Sequence, residues 1–80
     1  MKQVEKQVLK KLMRRKIIGG KHTDIKNIYN IVPRHERKSA SRVIKKLIVE
    51  KIILKKQTPY GTHISLNPKK IKEIIRRIEN

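Results

Sequence analysis

Apolar residues recur along the first part of the chain at helical intervals. Val4, Val8, Leu9, Leu12 and Met13 lie on one face of a helix, and Lys6, Lys10, Lys11, Arg14 and Arg15 lie on the others, which predicts an amphipathic first helix over about residues 2–17. Gly19-Gly20 is expected to close it, because glycine accepts the left-handed conformation common at helix C-termini, with Ile17 and Ile18 turning into the core. Thr23 or Asp24 is placed to cap a second, shorter helix carrying Ile25, Ile28 and Ile31 or Val32, and Val32-Pro33 ends it, since the residue before proline avoids helical angles. The third helix, Glu36 to about Glu50, follows the helical period most closely. Ala40, Val43, Ile44, Leu47 and Ile48 face one way, while Lys38, Ser41, Arg42, Lys45 and Lys46 face the other.

After Lys51 the period shortens towards two. Ile52 and Leu54, then Ile64 and Leu66, alternate with other residues, so two short strands are expected. Thr58-Pro59-Tyr60-Gly61 between them reads as a tight turn, with proline presetting φ and glycine where the chain re-enters the strand. Asn67-Pro68 reads as an N-cap followed by proline in the first helical turn, and Ile71, Ile74, Ile75 and Ile78 form the stripe of a closing helix. No internal repeat, linker or low-complexity segment interrupts this pattern. The fold class expected is mainly α with a small β-hairpin, in the order helix, helix, helix, strand, strand, helix, as a single domain over residues 1–80.

Charge changes the picture most. Twenty-three Lys and Arg stand against six Asp and Glu, a formal net charge of +17; such an excess repels itself, and a polyanionic partner is the simplest reason to keep it. The 36% of hydrophobic residues, regularly spaced, separates the chain from a disordered basic tail. The absence of cysteine excludes disulfides and thiolate sites and fits a reducing compartment. No apolar run approaches the ~18 residues of a membrane span, and the first residues lack the apolar region of a signal peptide. A soluble, cytoplasmic, nucleoid-associated protein is therefore expected. With only two aromatic residues, Tyr29 and Tyr60, recognition of single strands by stacking on several rings is disfavoured.

The succession of elements resembles a winged helix-turn-helix domain along essentially the whole chain, with Thr23–Val32 as the supporting helix, Glu36–Glu50 as the recognition helix and Ile52–Leu66 as the wing. Gly20-Lys21-His22-Thr23 and the run from Tyr60 to Pro68 are also similar to small archaeal winged-helix proteins. That resemblance implies a third helix entering the DNA major groove and a wing touching the backbone or minor groove. The residues agree with it: Lys38, Arg42, Lys45 and Lys46 line the polar side of the third helix beside Ser41, Arg34, His35 and Arg37 precede it, and Lys55, Lys56 and Gln57 lie in a stretch without acidic residues between Glu50 and Glu73. Lys21, His22 and Thr23, at a helix start where free N–H groups receive phosphate, complete the candidate set with Tyr60 at the turn. The turn is short for a wing, which speaks against deep minor-groove reading. Arg14, Arg15, Arg76 and Arg77 are expected to serve solubility or secondary contacts.

His22, His35 and His63 lack the spacing of a helical metal pair, so no metal and no cofactor are expected. Ser39 and Ser41 have no evident base, and the carboxylates are scattered, so no enzyme is expected. The expected function is duplex DNA binding, as a transcription regulator or chromatin-like factor. The alternative is a structural RNA-binding or ribosome-associated protein. Membrane binding by the basic first helix lacks the usual Trp or Phe anchor. The Ile face of the last helix can pack within the domain or onto a symmetry mate; the sequence leaves the oligomeric state open with a slight preference for a homodimer, whose two third helices would meet successive major grooves.

Overall fold

The computed structural model describes residues 2–79, so the two terminal positions of the expected 1–80 domain lie outside the described residues. Helix α1 spans Lys2–Arg14, strand β1 Thr23–Asp24, α2 Ile25–Tyr29, α3 Arg37–Val49, β2 Ile53–Thr58, β3 Gly61–Leu66 and α4 Ile71–Glu79. Single 3₁₀ turns, Arg34–Glu36 and Pro68–Lys70, lead into α3 and α4. The three strands form one antiparallel sheet in the order β1-β3-β2.

The sheet differs from the expected two-stranded hairpin by β1. Thr23 pairs with Ile64 and Asp24 with His63, which makes β3 the central strand. Two residues are too few to leave an alternating pattern, so this pairing had no period to announce it. The chain before it is also fastened to the end of β3: the Leu66 N–H donates to the Ile17 carbonyl at 2.9 Å, the Gly19 N–H to the Leu66 carbonyl at 2.9 Å, and the Ser65 hydroxyl to the Gly19 carbonyl at 2.9 Å.

Nor is α1 ended by Gly19-Gly20. It ends three residues earlier than expected, and Lys16 takes the left-handed conformation at φ 56°. The Lys16 N–H donates to the Met13 carbonyl and the Ile17 N–H to the Leu12 carbonyl, the paired bonds of a Schellman closure. Helix α3 closes in the same way. Lys51 has φ 67°, its N–H donates to Ile48, and the Ile52 N–H donates to Leu47. Both ends read Leu, three residues, Lys-Ile-Ile, and in both the leucine and the first isoleucine are buried. Burying that isoleucine decides where the helix stops.

Helix α2 has five residues, too few to persist alone. The Asp24 carboxylate caps it, accepting from the Lys26 N–H at 2.9 Å, and Ile28 anchors it in the core. It ends at Tyr29 rather than at Val32-Pro33; Ile31 and Val32 follow in turns whose N–H groups reach back three residues, and Val32 is still buried. At the hairpin Thr58 pairs with Gly61 across Pro59-Tyr60, and Gly61, at φ 138°, absorbs the backbone angle that the turn needs. Asn67 caps the turn before α4 through the Lys69 N–H and donates to the Lys51 carbonyl at 2.8 Å, holding the exit of α3 beside the entry of α4.

One aliphatic core joins these elements: Val8, Leu9 and Leu12 from α1, Ile28 from α2, Ile44 and Leu47 from α3, Ile52, Ile53, Ile64 and Leu66 around the sheet, and Ile74 from α4. Ser65 is the one buried polar residue among those described, and its hydroxyl is bonded. Among the described residues no helix is long and apolar enough to cross a membrane. Helix α4 packs on α1 of the same chain, which buries Ile74 and partly covers Ile71 and Ile78. Of the four isoleucines expected on that face, Ile75 stays exposed.

Candidate nucleic-acid interface

Helix α3 carries the centre of the candidate site. Ala40, Val43, Ile44 and Leu47 are buried, which turns the opposite face outwards. Lys38, Arg42 and Lys45 follow one another at four- and three-residue steps along that face, all exposed, with Lys46 at one margin and Ser41 at the other. The stripe ends on Val49, which is 80% exposed. Arg34 and His35, in the 3₁₀ turn, and Arg37 are exposed just before it, beside the half-buried Glu36.

Sequence reasoning missed the partner of this face. Lys26 and Tyr29 of α2 and Asn30 just after it line a groove of about 500 Å³ with Arg37, Lys38 and Ser41 of α3. These three residues are spaced i, i+3, i+4, the polar complement of the Ile25–Ile28 face, a spacing already present in the sequence.

The hairpin residues divide. Lys55 and Lys56 are exposed on β2, while the Gln57 side-chain amide oxygen, Oε1, accepts from the Thr62 hydroxyl at 3.2 Å across the pair. Tyr60, at the tip, is 89% exposed. The acid-free stretch of sequence around Lys56 is not acid-free in space: β1 brings Asp24 opposite His63, and His63 lies opposite Lys56.

The residues before α2 are the least free of the candidates. Thr23 sits in β1 and accepts from the Asn27 side chain at 2.9 Å, so the cap falls to Asp24. Lys21 is exposed and reaches the Arg15 carbonyl at 3.3 Å. His22 caps nothing. It is half-buried, and its Nδ1 lies 2.7 Å from Nδ1 of His63.

The acids are gathered elsewhere. Arg77, expected to serve solubility or secondary contacts, bonds Glu50 through Nη1 and Nη2 at 3.1 and 3.3 Å, Glu73 through Nε at 3.1 Å and Glu5 at 3.3 Å, joining α4 to the start of α1 and the end of α3. Arg76 pairs with Glu73 as well. The hydrogen bonds from Arg77 hold the Glu50 and Glu73 carboxyls below the usual carboxylate range, and those carboxylates in turn raise Arg77. Three of the six acidic residues thus surround one arginine. Among the described residues no three His, Asp or Glu side chains converge as a metal site would require. Compared with protein-family models, curated proteins and solved structures, the chain matches none.

Proposed function

We propose that the protein binds duplex DNA, as a transcription regulator or chromatin-like factor without catalytic chemistry, and that it is a winged helix-turn-helix domain. The order α1-β1-α2-α3-β2-β3 with β3 central supports the fold reading, because it supplies a supporting helix, a second helix with a free polar face and a strand hairpin following it. The observation that carries the function is the division of α3 into a fully apolar buried face and an exposed face of Lys38, Arg42 and Lys45, with the half-buried Ser41 at its margin. Cations on a rigid helix, backed by a core and flanked by the groove against α2, suit a partner of dense, regularly spaced negative charge.

In this reading Arg42, at the middle of the face, engages a base edge, where arginine forms a bidentate pair with guanine. Lys56 on the hairpin contacts phosphate and carries no sequence information. Arg42→Ala is expected to weaken binding to the preferred duplex by about 1–3 kcal/mol and to narrow its advantage over random sequence, whereas Lys56→Ala weakens both alike. Competition titrations measure this directly. If both variants lower every duplex equally, α3 does not read bases.

A second reading, structural RNA binding, is favoured by one feature: cations also line surfaces away from α3, with Lys6 and Lys10 in a shallow groove on α1 and Lys69, Lys70, Lys72 and Arg76 on and before α4. A folded RNA or a ribosome meets a small protein on several sides. Co-sedimentation with ribosomal particles, against titration with duplex DNA in moderate salt, separates the two.

A further inference from the structure

The His22–His63 contact has a geometry that says what lies between the rings. Their Nδ1 atoms are 2.7 Å apart and their centroids 4.8 Å, with the ring planes at 69°. The two nitrogens therefore point almost along the line joining the rings, as a donor and an acceptor do. A tetrahedral metal at about 2.0–2.1 Å from each nitrogen would hold them more than about 3 Å apart. The spacing fits one proton, carried by one ring and accepted by the lone pair of the other.

Such a bond tolerates few protonation states. With both rings neutral, one N–H donates to the other Nδ1. With one ring charged, the bond persists and strengthens, since a charged donor faces a neutral acceptor. With both charged, two N–H groups and two positive charges face each other, and the bond is lost. The charged groups around the pair do not cancel this: Asp24 on β1 and Lys56 on β2 stand opposite His63 on either side, Lys21 adjoins His22, and Lys26 begins the turn of α2 that Asp24 caps. Asp24 accepts one bond at the cap and keeps its negative charge, which offsets part of the repulsion, but Lys21, Lys26 and Lys56 outnumber it.

The pair also has a mechanical position. His22 belongs to the link from α1 to β1, and His63 to the central strand, so their bond straps the entry of α2 to the stem of the hairpin. We propose that this pair is a proton-operated latch: the second proton opens it, and a bound polyanion, by stabilising the added charges beside Lys21 and Lys56, draws that proton in. Nucleic-acid binding is then coupled to proton uptake and tightens as the pH falls. The coupling rests on the function proposed above; the latch itself does not.

Two measurements test it. In ¹⁵N-labelled protein near pH 7.5, one imidazole N–H should show a scalar coupling across the hydrogen bond to the other ring, and acidification should abolish it only once both rings carry a proton. Two rings with no such coupling at any pH would overturn the latch. Titrations of a short labelled duplex at constant ionic strength should show Kd falling by up to about tenfold per pH unit for each proton taken up. The double variant His22→Gln, His63→Gln should lose most of that dependence, leaving only what the exposed His35 at the interface contributes. A double variant as pH-dependent as the parent overturns the coupling, whereas absence of duplex binding at every pH removes the proposed function and leaves the spectroscopic result to decide the latch.

Discussion

Lys16 and Lys51 stand where a glycine would be easier to accommodate. A side chain in the left-handed region costs roughly 1–2 kcal/mol through the clash of Cβ with the following carbonyl, and both lysines are held there because Ile17 and Ile52 must turn back onto the core. Part of the cost is offset by a cation at a helix C-terminus, where the backbone dipole favours positive charge. Replacing either lysine by glycine is expected to raise stability by about 0.5–1 kcal/mol in urea unfolding; a loss of stability would mean that the lysine's charge outweighs its strain. The sequence pointed to Gly19-Gly20 instead, because glycine is the usual occupant of such a position. The signal that decides is the pair of apolar residues five apart, Leu12 with Ile17 and Leu47 with Ile52, and that signal becomes visible only once their burial is known. Residue-scale chemistry was legible for the exposed lysines and arginines of α3, whose positions follow from helical spacing alone. It was not legible for His22, whose partner lies 41 residues away.

Among the elements, α3 was the most legible: thirteen residues of one amphipathic pattern leave little choice of which face is buried. Strand β1 and the anchoring of α4 were not, because each is fixed by distant chain. Within α4 the Glu73–Arg77 spacing is that of a helical ion pair, yet Glu5 and Glu50 join it only through the packing of three helices. The Arg77 cluster also sets an acid limit on the fold. Glu50 and Glu73 titrate lower in the folded chain than their ordinary value of 4.5, so their contribution is fully present above that value and fades as the pH falls through the lower folded range. Arg77→Met should therefore be less stable than the parent at neutral pH, where three carboxylates are left facing one another. The difference should shrink below about pH 4 as they protonate. Urea unfolding of both proteins across this range tests the claim, and a deficit independent of pH would show that Arg77 acts by packing alone.

For the whole molecule, the net charge of +17 was plain from composition, but its distribution was not. Half of the acidic residues are drawn to Arg77, which leaves the α3 face, the groove with α2 and the outer side of β2 with few opposing charges. If this surface neutralises about six phosphates, the logarithm of the binding constant should fall against the logarithm of salt concentration with a slope near −5, from counterion release. A flat response would remove electrostatics as the basis of binding. The sheet order has a further effect, on how the protein keeps apart from its own copies. With β3 in the centre, β2 lies at an edge and turns the backbone N–H and C=O groups of alternate residues away from the sheet, unpaired. Such an edge is a template for strand addition, and lysines are a common means of blunting it. Lys55 and Lys56 place charge where a second copy would have to dock its own β2 in antiparallel register, lysine against lysine. The residues proposed to hold a nucleic-acid backbone thus also oppose the pairing of two copies along this edge, and neutralising them risks joining two sheets into one.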